Sequence, residues 1–486
     1  MYNAVKEITR AWCIDNEGKE LFSDETRRFV SVLPTKRQLD FLEMRYYNFI
    51  HFGMNTFYER EWGDGSENLS AFNPKKLNTD QWCEVLKKTG SKGIIITAKH
   101  HDGFCLFNTK YTEHNVMNTP FGKDIVKLLS ESCKKYGLKL GIYLSPWDRH
   151  EKTYGTQQYN DFFCNQLTEL CENYGDVFCF WFDGACGEGK NGKKQVYDWE
   201  RYYAVIRKYH PNAVINICGP DVRWIGNEGG KVRTSEYSVI PLQMDSNEAI
   251  VENSQHAANE TKAMARKLDD RDADLGSREL LSCYSNLVFK PAEADVSINL
   301  GWFHTSKKFA HARKKRTAKQ LSTIFFNSVG GNASMLLNVP PDRNGLINKR
   351  EIKRLEEFTA LIRKPFEKEI ALKSISYLLK DKTERENAVL PHLFSLDEIG
   401  LCLNFSKAEA VGTIFLQEDL SCSQRTESFD VYAKAQEGYS LIYSGTVIGS
   451  GKIIRLEKAV TTNKIVVVPT QSRCEPTILN AKCFSK

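Results

Sequence analysis

Gly93-Ile94-Ile95-Ile96-Thr97-Ala98 is an apolar run that breaks abruptly into Lys99-His100-His101-Asp102-Gly103. Four other stretches share this form. Asn48-Phe49-Ile50-His51-Phe52-Gly53 turns polar, Leu138 to Leu144 ends in Ser145-Pro146-Trp147, Asp176 to Phe182 ends in Asp183-Gly184, and Ala213 to Ile217 ends in Cys218-Gly219-Pro220. Continuous apolar runs, as opposed to alternating ones, predict strands covered on both faces, as in a parallel sheet. Helical patterns fill the gaps. Asn78-Thr79-Asp80-Gln81 resembles a capping box, and the patterns over Asp124 to Tyr136 and Gln158 to Tyr174 both stop at Tyr-Gly, where glycine suits the left-handed residue after a helix. Strand starts recur every ~37–46 residues, the size of a βα unit. Five such units in series predict an α/β fold of the (β/α)8-like TIM-barrel type. No glycine-rich dinucleotide fingerprint follows the first strand, which counts against a doubly wound sheet. Glu293 to Asn299 and Ser334 to Val339 read as late strands; Glu236 to Lys290 gives no clear pattern.

Past Leu361 the texture changes to short β-branched and aromatic segments, among them Val411 to Leu416, Ser428 to Tyr432, Tyr439 to Tyr443 and Lys464 to Val468. These predict a C-terminal antiparallel β-sandwich. The expected division is therefore a catalytic barrel over 1–360 and a sandwich over 361–486. The 486 residues suit two or three domains. The 67 basic and 61 acidic residues leave only +6, spread apart from short runs at Lys307-Lys308 and Arg313 to Arg316, which argues against nucleic acid as a partner. No window reaches ~18 apolar residues, so no membrane span is expected. Met1 to Asp15 lacks a signal-peptide core, so the chain works inside the cell or is numbered from a mature form. The 14 cysteines show no CxxC pair and read as buried thiols, although Cys474 and Cys483 lie close enough in sequence to bridge. Sequons at Asn68, Asn259, Asn332 and Asn404 matter only in a secreted protein.

In a parallel barrel, chemistry collects at the C-terminal strand ends. Those ends carry His51, His100, His101, Tyr143, Trp147 and Asp183, with Glu228 further on. Clustered histidines could ligate a metal, form structural hydrogen bonds or contact a polar ligand. A metal is disfavoured, because adjacent His100 and His101 must face opposite ways if their strand continues. Asp183, directly after an aromatic run, is either a functional carboxylate or a helix N-cap. Carboxylates, imidazoles, tyrosine and tryptophans together are equipment for a sugar: aromatic faces pack on its C–H face and polar groups answer its hydroxyls.

The chain resembles the α-L-fucosidases of glycoside hydrolase family 29 across nearly its full length. The motifs that carry the resemblance are His51 to Thr56, Lys99 to Phe104, Gly141 to Trp147, Trp181 to Gly184, Pro220 to Gly229, Pro291 to Ile298, Gly301 to His304 and Leu336 to Pro341, in the family's order. Arg223-Trp224-Ile225-Gly226-Asn227-Glu228-Gly229 resembles the subgroup that prefers α1,3/1,4-linked fucose. The resemblance implies a retaining exo-enzyme that takes a fucosylated oligosaccharide and needs no cofactor or metal. It implies Asp183 as nucleophile and Glu228 as acid/base, with Glu188, Asp221 and Glu236 as rivals for rim chemistry. Retention requires the two carboxyls ~5–5.5 Å apart, and Glu228 should hold its proton because of Trp224 and Asp183. His51, His100, His101 and Tyr143 would bind fucose hydroxyls, with Glu61, Trp62, Trp181 and Trp224 lining the pocket and Trp302 on the methyl side. Core packing is the competing reading for Trp62 and Trp302, and the role of His304 stays open. A non-hydrolytic glycan-binding homologue and a related galactosidase are the alternatives.

Overall fold

The apolar runs form parallel strands that wrap into a barrel. The computed structural model describes residues 12, 23–245, 247, 250–251, 271–306 and 315–486. Its barrel strands are β1 (Tyr46–Ile50), β2 (Gly93–Lys99), β3 (Lys139–Leu144), β4 (Val177–Phe182), β5 (Val214–Ile217) and β6 (Arg223–Trp224). A small antiparallel pair, β7 (Val239–Pro241) with β8 (Leu287–Phe289), precedes the last two, β9 (Ala292–Ser297) and β10 (Ala333–Asn338). The order around the sheet is β5-β4-β3-β2-β1-β10-β9-β6, and every neighbouring pair is parallel. A parallel bridge between Asn216 and Val222 brings β5 to the start of β6 and nearly closes the barrel. β1, β2, β5, β9 and β10 are buried at every position, the burial that continuous apolar runs encode.

One unit breaks the strand–helix rhythm. β5 passes to β6 through the turn Cys218 to Val222 with no helix between them, so β6 starts inside the segment quoted above as a loop motif. The helix Thr79–Lys88 starts as expected, with Asn78 accepting from the Gln81 amide at 3.0 Å. The reciprocal half of a capping box is absent, because the Gln81 side chain is spent on the main chain of Ile347. Ile125–Tyr136 ends at Gly137 with φ 63°, the left-handed cap its Tyr-Gly signal predicts.

Beyond the helix Lys349–Arg363 lies the antiparallel domain, a seven-stranded sheet with a separate two-stranded pair. Its strands are β11 (Ser374–Leu379), β12 (Glu384–Arg385), β13 (His392–Leu393), β14 (Glu398–Gln417), β15 (Thr426–Lys434), β16 (Tyr439–Gly445), β17 (Lys452–Ser472), β18 (Thr477–Ile478) and β19 (Asn480–Ser485). β14 and β17 are longer than the short segments read from sequence. Val411 to Leu416 is the second half of β14, which pairs with β19, whereas its first half pairs with β11. Cys474 and Cys483 are free thiols, as are all the described cysteines. Asn332 is buried, donating to Glu236 O and Ser238 Oγ, so its sequon is closed in the folded chain. Asn259, Lys307-Lys308, Arg313-Lys314 and the start of the chain apart from Trp12 lie outside the described residues.

Candidate active site

β1 ends at Ile50 and delivers His51 to the mouth. β2 ends at Lys99, so the alternation argument for His100 and His101 fails: both lie past the strand, with ring centroids 4.1 Å apart. Tyr143 of β3 stacks on His100 at 5.7 Å and on Trp181 of β4 at 5.3 Å. These rings pack together at the mouth of the barrel.

Asp183 follows β4 directly. Its Oδ2 accepts from the Tyr143 hydroxyl at 2.8 Å, its Oδ1 accepts from the Ala185 amide at 2.8 Å, and His101 Nε2 stands 3.7 Å from Oδ2. No helix starts here, so the N-cap alternative falls away; the next helix is Trp199–Tyr209. With 25% of its side chain exposed, Asp183 sits under the opening and not in the core.

Glu228 reaches in from an exposed loop. Loss of solvent around its carboxyl, followed by the charges of Asp183 and Glu61, pushes its pKa above the ordinary carboxylate range; a hydrogen bond from the Trp302 side chain and the charge of Arg316 oppose the rise. Asp183 contributes as expected, and the Trp224 indole donates to Asp295 Oδ1 at 2.6 Å. Two of the three rival carboxylates are engaged in buried ion pairs. Asp221 is buried between Arg37 and Arg207, Glu236 is buried between Arg223 and Arg233, and Glu188 lies exposed on its loop.

The histidines are held neutral and in defined tautomers. Asn338 Oδ1 lies 2.9 Å from His51 Nδ1 and accepts from the His51 amide, while its Nδ2 donates to Trp302 O and Ser297 Oγ. That fixes the amide orientation and makes Nδ1 of His51 the protonated nitrogen, leaving Nε2 as an acceptor. Ser145 Oγ donates to Trp147 O, so His101 Nδ1, 2.7 Å from the same Oγ, must be the donor there. Burial lowers the proton affinity of all three rings, to about 3 for His51 and about 4 for His101.

Trp62 is 54% exposed and stands edge-on to His101 and Trp147, so it belongs to the rim and not to the core. Trp302 packs 5.0 Å from His51, and its amide donates to Glu61 Oε2 at 2.7 Å, so Glu61 anchors the turn that carries it. Trp181 donates to Glu293 Oε1 at 2.7 Å. His304 turns outward to a separate polar cavity of about 380 Å³, shared with Asn299, Lys315, Asp342 and Glu351. Four contributors carried no expectation: Asn338, Ser145, Glu293 and Asp295. The last two had a signal, since Glu293, Asp295 and Ser297 alternate with Ala292, Ala294 and Val296 and so share one face of β9. Among the described residues, no three His, Cys, Asp or Glu side chains are grouped to hold a metal ion.

Neutral imidazoles exchange hydrogen bonds with hydroxyls without adding charge, and aromatic faces cover C–H surface. A mouth of this kind suits a sugar, and a parallel barrel carrying it fits the class of barrel glycosidases. The family described as Alpha-L-fucosidase matches residues 35–365. Alpha-L-fucosidase 1 of Arabidopsis thaliana is 35% identical over 467 residues, covering 92% of this chain and 86% of that protein. The crystal structure of a putative α-L-fucosidase from Bacteroides ovatus has a TM-score of 0.82 at 38% identity, covering 95% of this chain and 76% of that one. A glycoside hydrolase family 29 fucosidase of Ruminococcus gnavus, solved in complex with fucose, has a TM-score of 0.74 at 26% identity, covering 96% of each chain. This chain belongs to the α-L-fucosidase family and is a glycoside hydrolase.

Proposed function

We propose that the chain is a retaining exo-α-L-fucosidase acting on terminal α1,3/1,4-linked fucose, with Asp183 as nucleophile and Glu228 as acid/base. The observation that carries this reading is the pairing of two unlike carboxyls in one cleft. Asp183 is held by the Tyr143 hydroxyl and the Ala185 amide, and Glu228, exposed as a residue, is biased towards its proton by loss of solvent around its carboxyl and by the charge of Asp183. A carboxyl biased towards its proton suits the acid, and one held by two hydrogen-bond donors suits the nucleophile.

Asp183 attacks the anomeric carbon while Glu228 protonates the departing oxygen, giving a fucosyl-Asp183 ester. Esterification removes the Asp183 charge and with it one cause of Glu228's raised proton affinity, so Glu228 becomes the base for the incoming water. Tyr143 stabilises the Asp183 carboxylate before attack and again as it leaves. His51, His100 and His101 hold the hydroxyls, Trp181, Trp62 and Trp302 shape the pocket, and Glu61 fixes Trp302. Fucose in the Ruminococcus protein supports the sugar's identity; the linkage preference rests on the Arg223 to Gly229 resemblance.

Azide rescue tests the assignment. Asp183→Ala should lose activity and yield β-fucosyl azide from an α-fucoside with azide present, whereas Glu228→Ala should yield the α-azide. Full activity in Asp183→Ala, or the opposite anomers, would overturn it. Comparing α1,2-, α1,3-, α1,4- and α1,6-fucosylated oligosaccharides tests the linkage; equal turnover of α1,2 substrates would refute that part.

A further inference from the structure

The acid/base loop starts at a bond that the mechanism above does not use. Trp224 lies on β6 opposite Glu293 of β9 and donates its indole N–H to Asp295 Oδ1 at 2.6 Å. Asp295 is nearly fully buried and faces the barrel interior, between Glu293, which collects Tyr47, Trp181 and Asn216, and Ser297, which takes Asn338. Ile225, next along the loop, is buried against Ala292, Ala294 and Ala333. Gly226 then turns the chain with φ 91°, and Asn227 folds the loop on itself by accepting from the amides of Gly229 and Lys231. Glu228 itself is held by the Trp302 side chain and, at its carbonyl, by Arg316. Its placement therefore depends on a short loop whose first anchor is the Trp224–Asp295 bond.

We propose that Asp295 is a positioning residue for proton donation: by fixing the Trp224 indole it sets the point from which the loop projects Glu228 towards the leaving oxygen. Four elements face it: Trp224 of β6, Glu228 of the loop, Glu293 of its own strand and Asp183 of β4. Burial, then the nearby Glu228, Glu293 and Asp183, raise its proton affinity far above the usual carboxylate range. That environment biases Asp295 towards its proton, and its Oδ1 accepts the indole N–H.

This inference rests on Glu228 being the acid, and the test separates the two. A general acid matters most when the leaving group is poor. For Asp295→Ala, kcat/KM on an α1,3/1,4-fucosylated oligosaccharide and on phenyl fucoside should fall about 10- to 100-fold. On 2,4-dinitrophenyl fucoside, whose leaving group needs little protonation, the fall should stay under about 3-fold. Trp224→Phe, which removes the donor and keeps Asp295, should show the same split. Asp295→Asn keeps an acceptor and neutrality, and should recover most of the loss with the basic limb of its pH profile unmoved. Equal losses on all leaving groups, or an Asn variant as damaged as the Ala variant with a displaced basic limb, would overturn the proposal. Glu228→Ala on the same substrates is the control: if it shows no dependence on the leaving group, the acid assignment itself fails.

Discussion

Tyr143→Phe isolates one hydrogen bond at the proposed nucleophile. The ring is fully buried and keeps its stacking on Trp181 and His100 when only the hydroxyl oxygen is deleted. What is lost is a 2.8 Å bond to Asp183 Oδ2, while the Ala185 amide still serves Oδ1. A hydrogen bond to a charged group contributes about 1.5–3 kcal/mol, which corresponds to a rate loss of roughly 10- to 150-fold if the bond acts on the reacting carboxylate. The hydroxyl orients the Asp183 oxygen for attack and stabilises the charge that the carboxylate regains as the ester is cleaved, so removal of the donor slows both steps. The loss should therefore appear in kcat and kcat/KM together, with KM changing less than about 3-fold. Steady-state assays on an aryl fucoside, with a thermal melt to confirm the fold, measure it. A variant within twofold of the parent in kcat, or one whose loss lies wholly in KM, would refute the reasoning.

Asn338→Ala should remove the hydrogen bonds that orient His51 and Trp302 and leave a buried gap. The expected cost is about 2–4 kcal/mol by chemical denaturation, with KM raised at least about tenfold, and an unchanged KM would contradict the role. Stability should depend on pH through Asp102, whose pKa is pushed up to about 8 by burial and by Glu67. The folded chain keeps a proton there that the unfolded chain releases near pH 4, so this contribution favours folding below about pH 4 and is lost progressively up to pH 8. A pH series of thermal melts should show that decline, flattened in Asp102→Asn; a slope equally steep in the variant would place its source elsewhere. Glu61→Ala should release the Trp302 turn and raise KM about tenfold for a modest change in melting temperature, because one buried acceptor is lost; an unaltered KM would show that the turn holds without it.

The barrel was legible because β2 and β4 are long apolar runs closed by polar residues, a pattern few other structures produce. β6 was not, since two residues beginning with a buried arginine carry no periodic signal; only its parallel pairing with β9 defines it. Only the second half of β14, Val411 to Leu416, was read as a strand, because Ser406-Lys407-Ala408-Glu409 interrupts the pattern where the pairing register shifts between Asn404 and Glu409. Within the site, residues at strand ends were readable from position alone. The hydrogen bond from Trp302 to Glu228 was not, since it depends on how far the loop after β9 folds back, and no local pattern states that distance. Asp295 and Glu293 lay on a segment read as a late strand, and their alternation with alanine was a signal of a shared face whose burial shows only once the barrel closes around them.

The most direct test of the account is covalent trapping. Incubation with a 2-deoxy-2-fluoro-fucosyl fluoride, followed by proteolysis and mass spectrometry, should place one fluorofucosyl group on Asp183, with slow reactivation on removal of excess reagent. Label on Glu61, Glu293 or Asp295, or inactivation with no covalent adduct, would contradict the assignment on which the mechanism depends.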